Sequence, residues 1–155
     1  MKAVFSELPS YDIVVPALLR GWRRLREECK LTPGVPLKPM LAKPTKSIGE
    51  VLDRFEGREF TCEYKYDGER AQIHYIPPER EGGKGETKVY SRNSEDMSKR
   101  YPDIVEQLPR IIKPGGRGSG GFVLDCECVA WDAKEERYRS LRFIPNPLYF
   151  VMLIS

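Results

Sequence analysis

A lysine followed by an aspartate, a glycine and an arginine is the part of this sequence best suited to covalent chemistry. Residues 63–70 read EYKYDGER, with Lys65 two residues before Asp67 and five before Arg70. A lysine amine attacks phosphorus only when it is deprotonated, and desolvation or a neighbouring cation favours the neutral amine. An arginine fork can also hold a phosphate. The segment predicts a nucleophilic lysine beside a phosphate site, and its structural alternative is a solvent-facing lysine paired with Asp67.

Two carboxylates near residue 126 form a second candidate. Residues 122–131 read FVLDCECVAW, which is typical of a strand. Alternation along a strand puts Asp125 and Glu127 on one face and Cys126 and Cys128 on the other. Carboxylate oxygens on one face suit Mg²⁺, which binds one or two carboxylates together with substrate phosphates. The alternative is a solvent-facing acidic edge.

These segments resemble a known superfamily. Lys65, Asp67, Gly68 and Arg70 match the K-x-D-G-x-R signature of the covalent nucleotidyltransferases, which include the ATP-dependent ligases and the mRNA capping enzymes. The flanking residues 33–42 (PGVPLKPMLA) and 60–65 (FTCEYK) closely resemble the eukaryotic replicative ATP-dependent DNA ligases, of the DNA ligase I type. The resemblance extends from about residue 8 to about residue 143.

The resemblance implies a role for each candidate residue. Lys65 would attack the α-phosphate of ATP, expel pyrophosphate and carry AMP, which then activates the 5′-phosphate of a DNA nick. Arg92, in the element Ser91-Arg92-Asn93, would contact the nucleotide or the nick phosphate. Glu127 would serve Mg²⁺, with Asp125 as a second candidate ligand. The residues implied to bind the nucleotide are Glu63, Arg70, Arg92 and Glu127, with Glu63 recognising the adenine amino group.

The 155 residues amount to about one domain, and their patterns predict an α+β fold. Residues 12–30 have the spacing of an amphipathic helix with a basic face. Ser47 and Glu50 form a capping box that starts a short helix with one core face, which ends at Gly57. Strands are predicted at residues 60–66, 71–76, 87–92 and 122–131, the first three as an antiparallel meander, and a helix at 102–108. Combined with the family resemblance, which implies the nucleotidyltransferase identity, these patterns lead us to expect an antiparallel-sheet nucleotidyltransferase (adenylation) domain, incomplete, with flanking short helices.

The composition and the spacing of apolar residues and cysteines exclude several classes of protein. The chain has 26 basic and 23 acidic residues, and its apolar runs are too short to span a membrane. Neither a signal peptide nor a zinc-site spacing is present, so we expect the four cysteines to be reduced, buried hydrophobic residues. His74 is expected to have a packing or surface role. The resemblance implies three units: a helical remnant or linker from the end of a DNA-binding domain (1–31), the N-terminal part of an adenylation domain (32–143) and a divergent apolar tail (144–155).

The family resemblance also implies partners and a compartment. It predicts nicked double-stranded DNA and ATP as substrates, replication or repair proteins as candidate partners, a role in DNA replication, repair and recombination, and a nuclear location. Later family elements, including the OB-fold, are not found after residue 143, so we expect a truncated chain that does not complete sealing. Two alternatives stay open: an RNA ligase or capping guanylyltransferase, and a non-catalytic product that binds DNA or partners.

Overall fold

Residues 2–63, 65–80, 83–112, 120–132, 134–139 and 148–153 are described by a computed structural model. The helices are α1 (Lys2–Glu7), α2 (Tyr11–Arg20), α3 (Trp22–Glu28), α4 (Ile48–Phe55) and α5 (Pro102–Ile111), with a 3₁₀ turn at Ser98–Arg100. The strands are β1 (Glu69–Ile76), β2 (Glu86–Ser91), β3 (Phe122–Asp132), β4 (Arg137–Arg139) and β5 (Leu148–Leu153). None of the helices in these ranges is long and apolar enough to cross a membrane.

The five strands form one antiparallel sheet. β1 lies between β2 and β3, and β3 also pairs with β4 and with β5. The register opposes Arg70 to Glu127 and Gln72 to Asp125. Since directly opposed residues of a sheet share a face, these four polar side chains belong to one face. The predicted α+β class with an antiparallel sheet is confirmed, and so is the antiparallel pairing of the second and third predicted strands, β1 and β2. The expected three-strand meander is wrong because β3, and not residues 60–66, occupies the other edge of β1.

The opposite face of the sheet packs against α5. Its core contains Ala71 and Ile73 from β1, Cys126 and Cys128 from β3, and Ile104 from α5. Cys126 and Cys128 have no exposed surface, as the strand alternation predicts. Burial and a hydrogen bond with Cys128 raise the pKa of the Cys126 thiol. The expectation that all four cysteines are buried is wrong for Cys62, which is exposed.

The N-terminal helices form a separate hydrophobic cluster. Val4, Leu8, Val14, Ala17, Leu25 and Cys29 are its buried members. The predicted single helix over 12–30 is wrong, because Gly21 separates α2 from α3. Its φ of +130° is a backbone conformation that suits glycine and interrupts helical hydrogen bonding. The basic face therefore belongs to two short helices, and the domain boundary near residue 31 stays a prediction.

The strand predicted at residues 60–66 is not formed by its described residues, 60–63 and 65–66. A strand needs a partner for its backbone N–H and C=O groups. Both edges of β1 are already paired, with β2 and with β3, so this segment has no position beside β1. Phe60 instead stacks on Phe55 of α4, with ring centroids 4.8 Å apart. The segment that carries Lys65 is therefore a loop.

α4 begins as its capping residues predict. The Ser47 hydroxyl accepts a hydrogen bond from the Glu50 N–H at 3.2 Å, and the Glu50 carboxylate accepts one from the Lys46 N–H. The helix ends with Glu56 in a left-handed conformation, followed by Gly57 at φ +76°. The predicted core face is wrong for this helix, since none of its residues is buried and Ile48 is 79% exposed.

Candidate active site

The glycine of the K-x-D-G-x-R segment fits closely against β3. A Cβ atom at position 68 would lie 2.5 Å from the Cys128 carbonyl oxygen and 2.7 Å from Cγ of Glu127. Both separations are far below a normal contact, so only glycine fits there without movement of its neighbours. This close approach brings the lysine-bearing loop against the strand that carries the two predicted carboxylates.

Arg70 and Asp125 form the central ion pair of the site. Nε of Arg70 donates to Oδ1 of Asp125 at 3.0 Å, and the NH2 group donates to Oδ2. The hydrogen bond with Asp125 is the first cause of the raised Arg70 pKa. A third nitrogen, NH1, donates to the Met40 carbonyl at 3.4 Å. Because Asp125 and Arg70 are 55 residues apart, this bidentate pair joins two segments that the sequence presents separately.

Lys65 and Glu63 lie on the loop that leads into β1, and both are exposed. Three peptide steps join Lys65 to Gly68, so the Lys65 Cα lies within about 11 Å of the Gly68 Cα. The loop position differs from the predicted strand face. The desolvation expected around a nucleophilic lysine is not provided by the described residues.

Arg92 follows the last residue of β2 and lines a pocket of about 340 Å³. The other lining residues are Lys38, Pro39, Leu41, Asn93 and Ser94. The turn that carries Arg92 is fixed by the Ser91 hydroxyl, which accepts hydrogen bonds from the Asn93 and Glu95 N–H groups. Pro39 and Leu41 flank Met40, whose carbonyl contacts Arg70, so the pocket adjoins the central ion pair.

The proline-rich connector, residues 32–39, is anchored on the polar face of the sheet. Gln72 binds both backbone groups of Leu37: its Oε1 accepts from the N–H at 2.9 Å, and its Nε2 donates to the carbonyl. His74 is completely buried, and its Nδ1 accepts from the Gly34 N–H at 2.9 Å. Burial lowers the pKa of His74 to about 4, which keeps the ring neutral and able to accept this bond.

Sequence reasoning missed these anchoring roles. Polar side chains at alternate positions of an apolar strand were the available signal, since Arg70, Gln72 and His74 share one face. The packing role expected for His74 is confirmed by its burial. The Tyr90 hydroxyl completes the anchor by donating to the Gly34 carbonyl at 2.9 Å.

Glu69, the first residue of β1, connects the lysine motif to the face of the sheet that packs against α5. Glu69 accepts a hydrogen bond from the Tyr101 hydroxyl at 3.0 Å and forms a 3.1 Å ion pair with Arg100. Tyr101 is buried in the core beside α5. Gly68 is therefore followed by two residues held on opposite faces of the sheet, Glu69 and Arg70, which fixes the course of the chain as it leaves the loop.

The predicted Mg²⁺ ligands are Glu127 and Asp125, and a cation held by them would depend on substrate phosphates for its remaining ligands. Glu127 is half-buried beside Gly68, and its carboxylate is the type of ligand that Mg²⁺ prefers. Both oxygens of Asp125 are bound by Arg70, so its predicted role as a metal ligand would require that pair to open. In the described part of the chain, no group of three His, Cys, Asp or Glu side chains is placed to hold a metal.

Comparison with known proteins identifies related chains. A family model described as ATP dependent DNA ligase domain matches residues 39–146. DNA ligase 1 of Schizosaccharomyces pombe is 54% identical over 138 residues, which are 88% of this chain and 17% of that protein. DNA ligase 1 of Arabidopsis thaliana is 49% identical over 139 residues, covering 88% and 16%. A DNA ligase of Pyrobaculum neutrophilum is 42% identical over 106 residues, covering 68% and 16%.

The chain thus spans about a sixth of the length of these relatives. The matched segment includes the whole lysine motif, the Arg92 turn and the β3 carboxylates. Since this match covers most of the 155 residues, the chain belongs to the ATP-dependent DNA ligase domain family.

Proposed function

We propose that this chain carries out the nucleotide chemistry of an ATP-dependent DNA ligase, with Lys65 as the residue that receives AMP. The neutral Lys65 amine attacks the α-phosphorus of ATP. A nitrogen–phosphorus bond forms, the bond from the α-phosphorus to the bridging oxygen breaks, and pyrophosphate leaves with the electron pair. The lysine releases its proton, and AMP stays attached as a phosphoramidate.

One observation carries this proposal: the absence of space for a Cβ atom at Gly68, next to Cys128 and Glu127. This close packing places the end of the lysine loop directly against the strand that carries Asp125 and Glu127. A solvated lysine paired with Asp67 would need no such approach. Family membership and this packing together favour the functional interpretation of Lys65.

Within this site, each side chain has a proposed task. Arg70 presents its guanidinium beside the loop, and Arg92 faces the adjacent pocket, so both can offset phosphate charge. Glu127 would hold Mg²⁺, which neutralises phosphate charge when bound, and Asp125 is the second candidate ligand. Glu63 accepts hydrogen bonds from the adenine amino group in this proposal, as a carboxylate can.

We further propose that the AMP passes to the 5′-phosphate of nicked double-stranded DNA, in nuclear replication, repair and recombination. The names of the similar proteins support this acceptor. Positioning of the two DNA ends contributes a large share of the rate of such a reaction. Because the chain spans about a sixth of those relatives, we expect the 155 residues alone to be adenylated without sealing nicks.

Intact-protein mass spectrometry after incubation with ATP and Mg²⁺ tests the proposal. The expected result is one AMP adduct, lost in Lys65→Ala and kept in Lys134→Ala, a matched change at an exposed turn. GTP in place of ATP should give no adduct, whereas preferred guanylylation would support the capping-enzyme alternative. No adduct on a folded chain would contradict the proposal and favour a non-catalytic binding role.

A further inference from the structure

A second pocket, of about 710 Å³, lies between the outer edge of β2 and α5. It is lined by residues 84–88, at the start of β2, and by Val105 and Pro109 of α5. The 3₁₀ turn contributes Ser98 and Lys99. The lining includes none of the residues proposed to bind the nucleotide. Ligand pockets commonly have volumes of about 300–1,000 Å³, so this pocket has the size of a binding site.

The outer edge of β2 is only half occupied. β2 pairs with β1 on one side, and no strand of the described residues lies on the other. On this outer edge the Val89 carbonyl accepts from the Met97 N–H at 2.8 Å, and the Ser91 N–H donates to the Glu95 carbonyl at 2.9 Å. Alternate residues of a strand direct their backbone groups to the same edge, so the N–H and C=O of Thr87 also face outward. No described residue bonds to either group on this edge, and Thr87 lines the pocket.

The side chain of Thr87 also lacks a partner. Thr87 is 4% exposed, and its hydroxyl oxygen has no hydrogen-bond partner among the described residues. Buried polar groups are almost always hydrogen-bonded, and one that is not costs free energy. A ligand in this pocket that carries amide groups can provide the missing bond. Thr87 thus indicates a ligand with hydrogen-bonding groups and not a purely apolar one.

The charged side chains of the pocket favour an acidic ligand. They are three lysines and two carboxylates: Lys84, Lys88, Lys99, Glu86 and Asp96. Lys88 lies 3.6 Å from Glu86, and the Asp96 carboxylate accepts hydrogen bonds from the N–H and the hydroxyl of Ser98. Lys84 and Lys99 are exposed and form no ion pair with a described residue. A second copy of this edge would bring the same lysines together, so self-association here is disfavoured.

Strand geometry determines which side chains a ligand at this edge presents. Thr87 and Lys88 are neighbours in β2, so their side chains lie on opposite faces of the sheet. Thr87 shares its face with Val89, which packs in the core beside α5. On α5, Val105 and Pro109 are four residues apart and provide an apolar surface to the pocket. A strand added beside β2 would therefore place apolar side chains against α5 and, alternating with them, acidic side chains on the face of Lys88.

We propose that this pocket binds an extended acidic segment of another protein, which adds a strand to the outer edge of β2. Backbone groups of the segment pair with the N–H and C=O of Thr87, and its carboxylates lie near Lys84 and Lys88. Strand addition draws affinity from the backbone bonds and selectivity from the alternate side chains. DNA would contact the lysines and leave the strand edge and the apolar surface of α5 without contacts. A peptide therefore accounts for more of the pocket than a nucleic acid does.

A synthetic peptide tests this site on the unmodified chain. The probe is an octapeptide of alternating valine and glutamate with blocked ends, titrated into the ¹⁵N-labelled protein and followed by NMR. The Thr87 amide signal should shift markedly, and the Lys88 amide, which points toward β1, should shift less. A control peptide of four valines followed by four glutamates has the same charge without the alternation and should bind more weakly. An unchanged Thr87 amide in excess peptide, or equal binding of the two peptides, would overturn the assignment.

Changes to the probe and to the protein supply a second measurement. N-methylation of every second residue of the peptide removes the N–H donors along one of its edges, and methylation of the other set removes those along the opposite edge. One methylated peptide should lose binding and the other keep it, whereas equal affinities would contradict strand addition. Lys84→Ala should weaken binding of the unmethylated peptide about threefold, as expected for one exposed ion pair. Lys134→Ala, a matched change outside the pocket, should not weaken it, and equal affinities of the two variants would contradict the proposed charge contact.

The same spectra distinguish the other occupants of the pocket. Displacement of the peptide by a nicked duplex would assign the pocket to DNA, and a shift of the Thr87 amide on concentrating the protein alone would assign it to a second copy. Either result would refute the proposal. The outcome is independent of the proposed adenylation, because none of the proposed nucleotide-binding residues lines this pocket. Failure of the peptide to bind therefore leaves the AMP adduct on Lys65 as a separate question.

Discussion

Replacing Gly68 by alanine tests the packing on which the active-site assignment depends. The added Cβ would lie 2.5 Å from the Cys128 carbonyl oxygen, and an ordinary C···O contact is about 3.3 Å. Either the loop or β3 must therefore move by about 0.8 Å. The Cys128 position is paired with Glu69 on one side and with Val151 on the other, so β3 resists this movement. Overpacking of this kind costs about 1–3 kcal/mol.

Urea unfolding and the rate of AMP-adduct formation would measure the two consequences of Gly68→Ala. We expect a loss of unfolding free energy of about 1–3 kcal/mol, together with slower adduct formation because the Glu127 side chain, 2.7 Å from the new Cβ, is displaced. Gly49→Ala, in α4, is the matched control, since the atom nearest to its added Cβ is the Ser47 hydroxyl oxygen at 3.9 Å. It should stabilise the protein by about 0.5–1 kcal/mol. A Gly68→Ala variant as stable and as active as the parent would refute the reasoning.

Three further predictions concern titration, the ion pair and thiol reactivity. His74 has a pKa of about 4 in the folded protein and about 6.5 when unfolded, so the unfolded chain binds a proton first as the pH falls. The free energy of unfolding should therefore decrease as the pH is lowered from about 6.5 to about 4, which urea midpoints at a series of pH values measure. His74→Leu should remove that dependence. Asp125→Asn should slow adduct formation because Arg70 loses its charged partner, and quench-flow rates would show whether it does. A thiol reagent should label Cys62 in the native state, and it should label the other three only after denaturation: Cys29, Cys126 and Cys128.

Sequence patterns predicted those helices and strands whose formation depends on interactions between residues close together in the chain. The alternation at residues 71–76 and 122–131 predicted β1 and β3, although consecutive residues on both faces of β1 are buried. The Ser47 cap predicted the start of α4 through a bond between near neighbours. Alternation also predicted a strand at 60–66, which failed because a pattern of side chains does not state whether a partner strand is present.

The arrangement of the site was only partly accessible to sequence reasoning. Lys65 and Glu127 were named from their motifs, but the pairing of Arg70 with Asp125 joins residues 55 apart and leaves no local pattern. The anchoring of Leu37 by Gln72 spans 35 residues and was missed for the same reason. Helix continuity across Gly21 was wrong because apolar spacing is insensitive to a single backbone angle.

The anchoring of the connector at Gly34 also limits how far the N-terminal helices can lie from the sheet. Cys29 is buried among those helices, and Gly34 is bound to His74 on the sheet. Five peptide steps join the two points, which limits their separation to about 17 Å even when the chain is fully extended. The end of α3, next to Cys29, must therefore stay within this distance of Gly34. A force that pulls on the helices is transmitted through residues 29–34 to the hydrogen bonds that Gly34 makes with His74 and Tyr90.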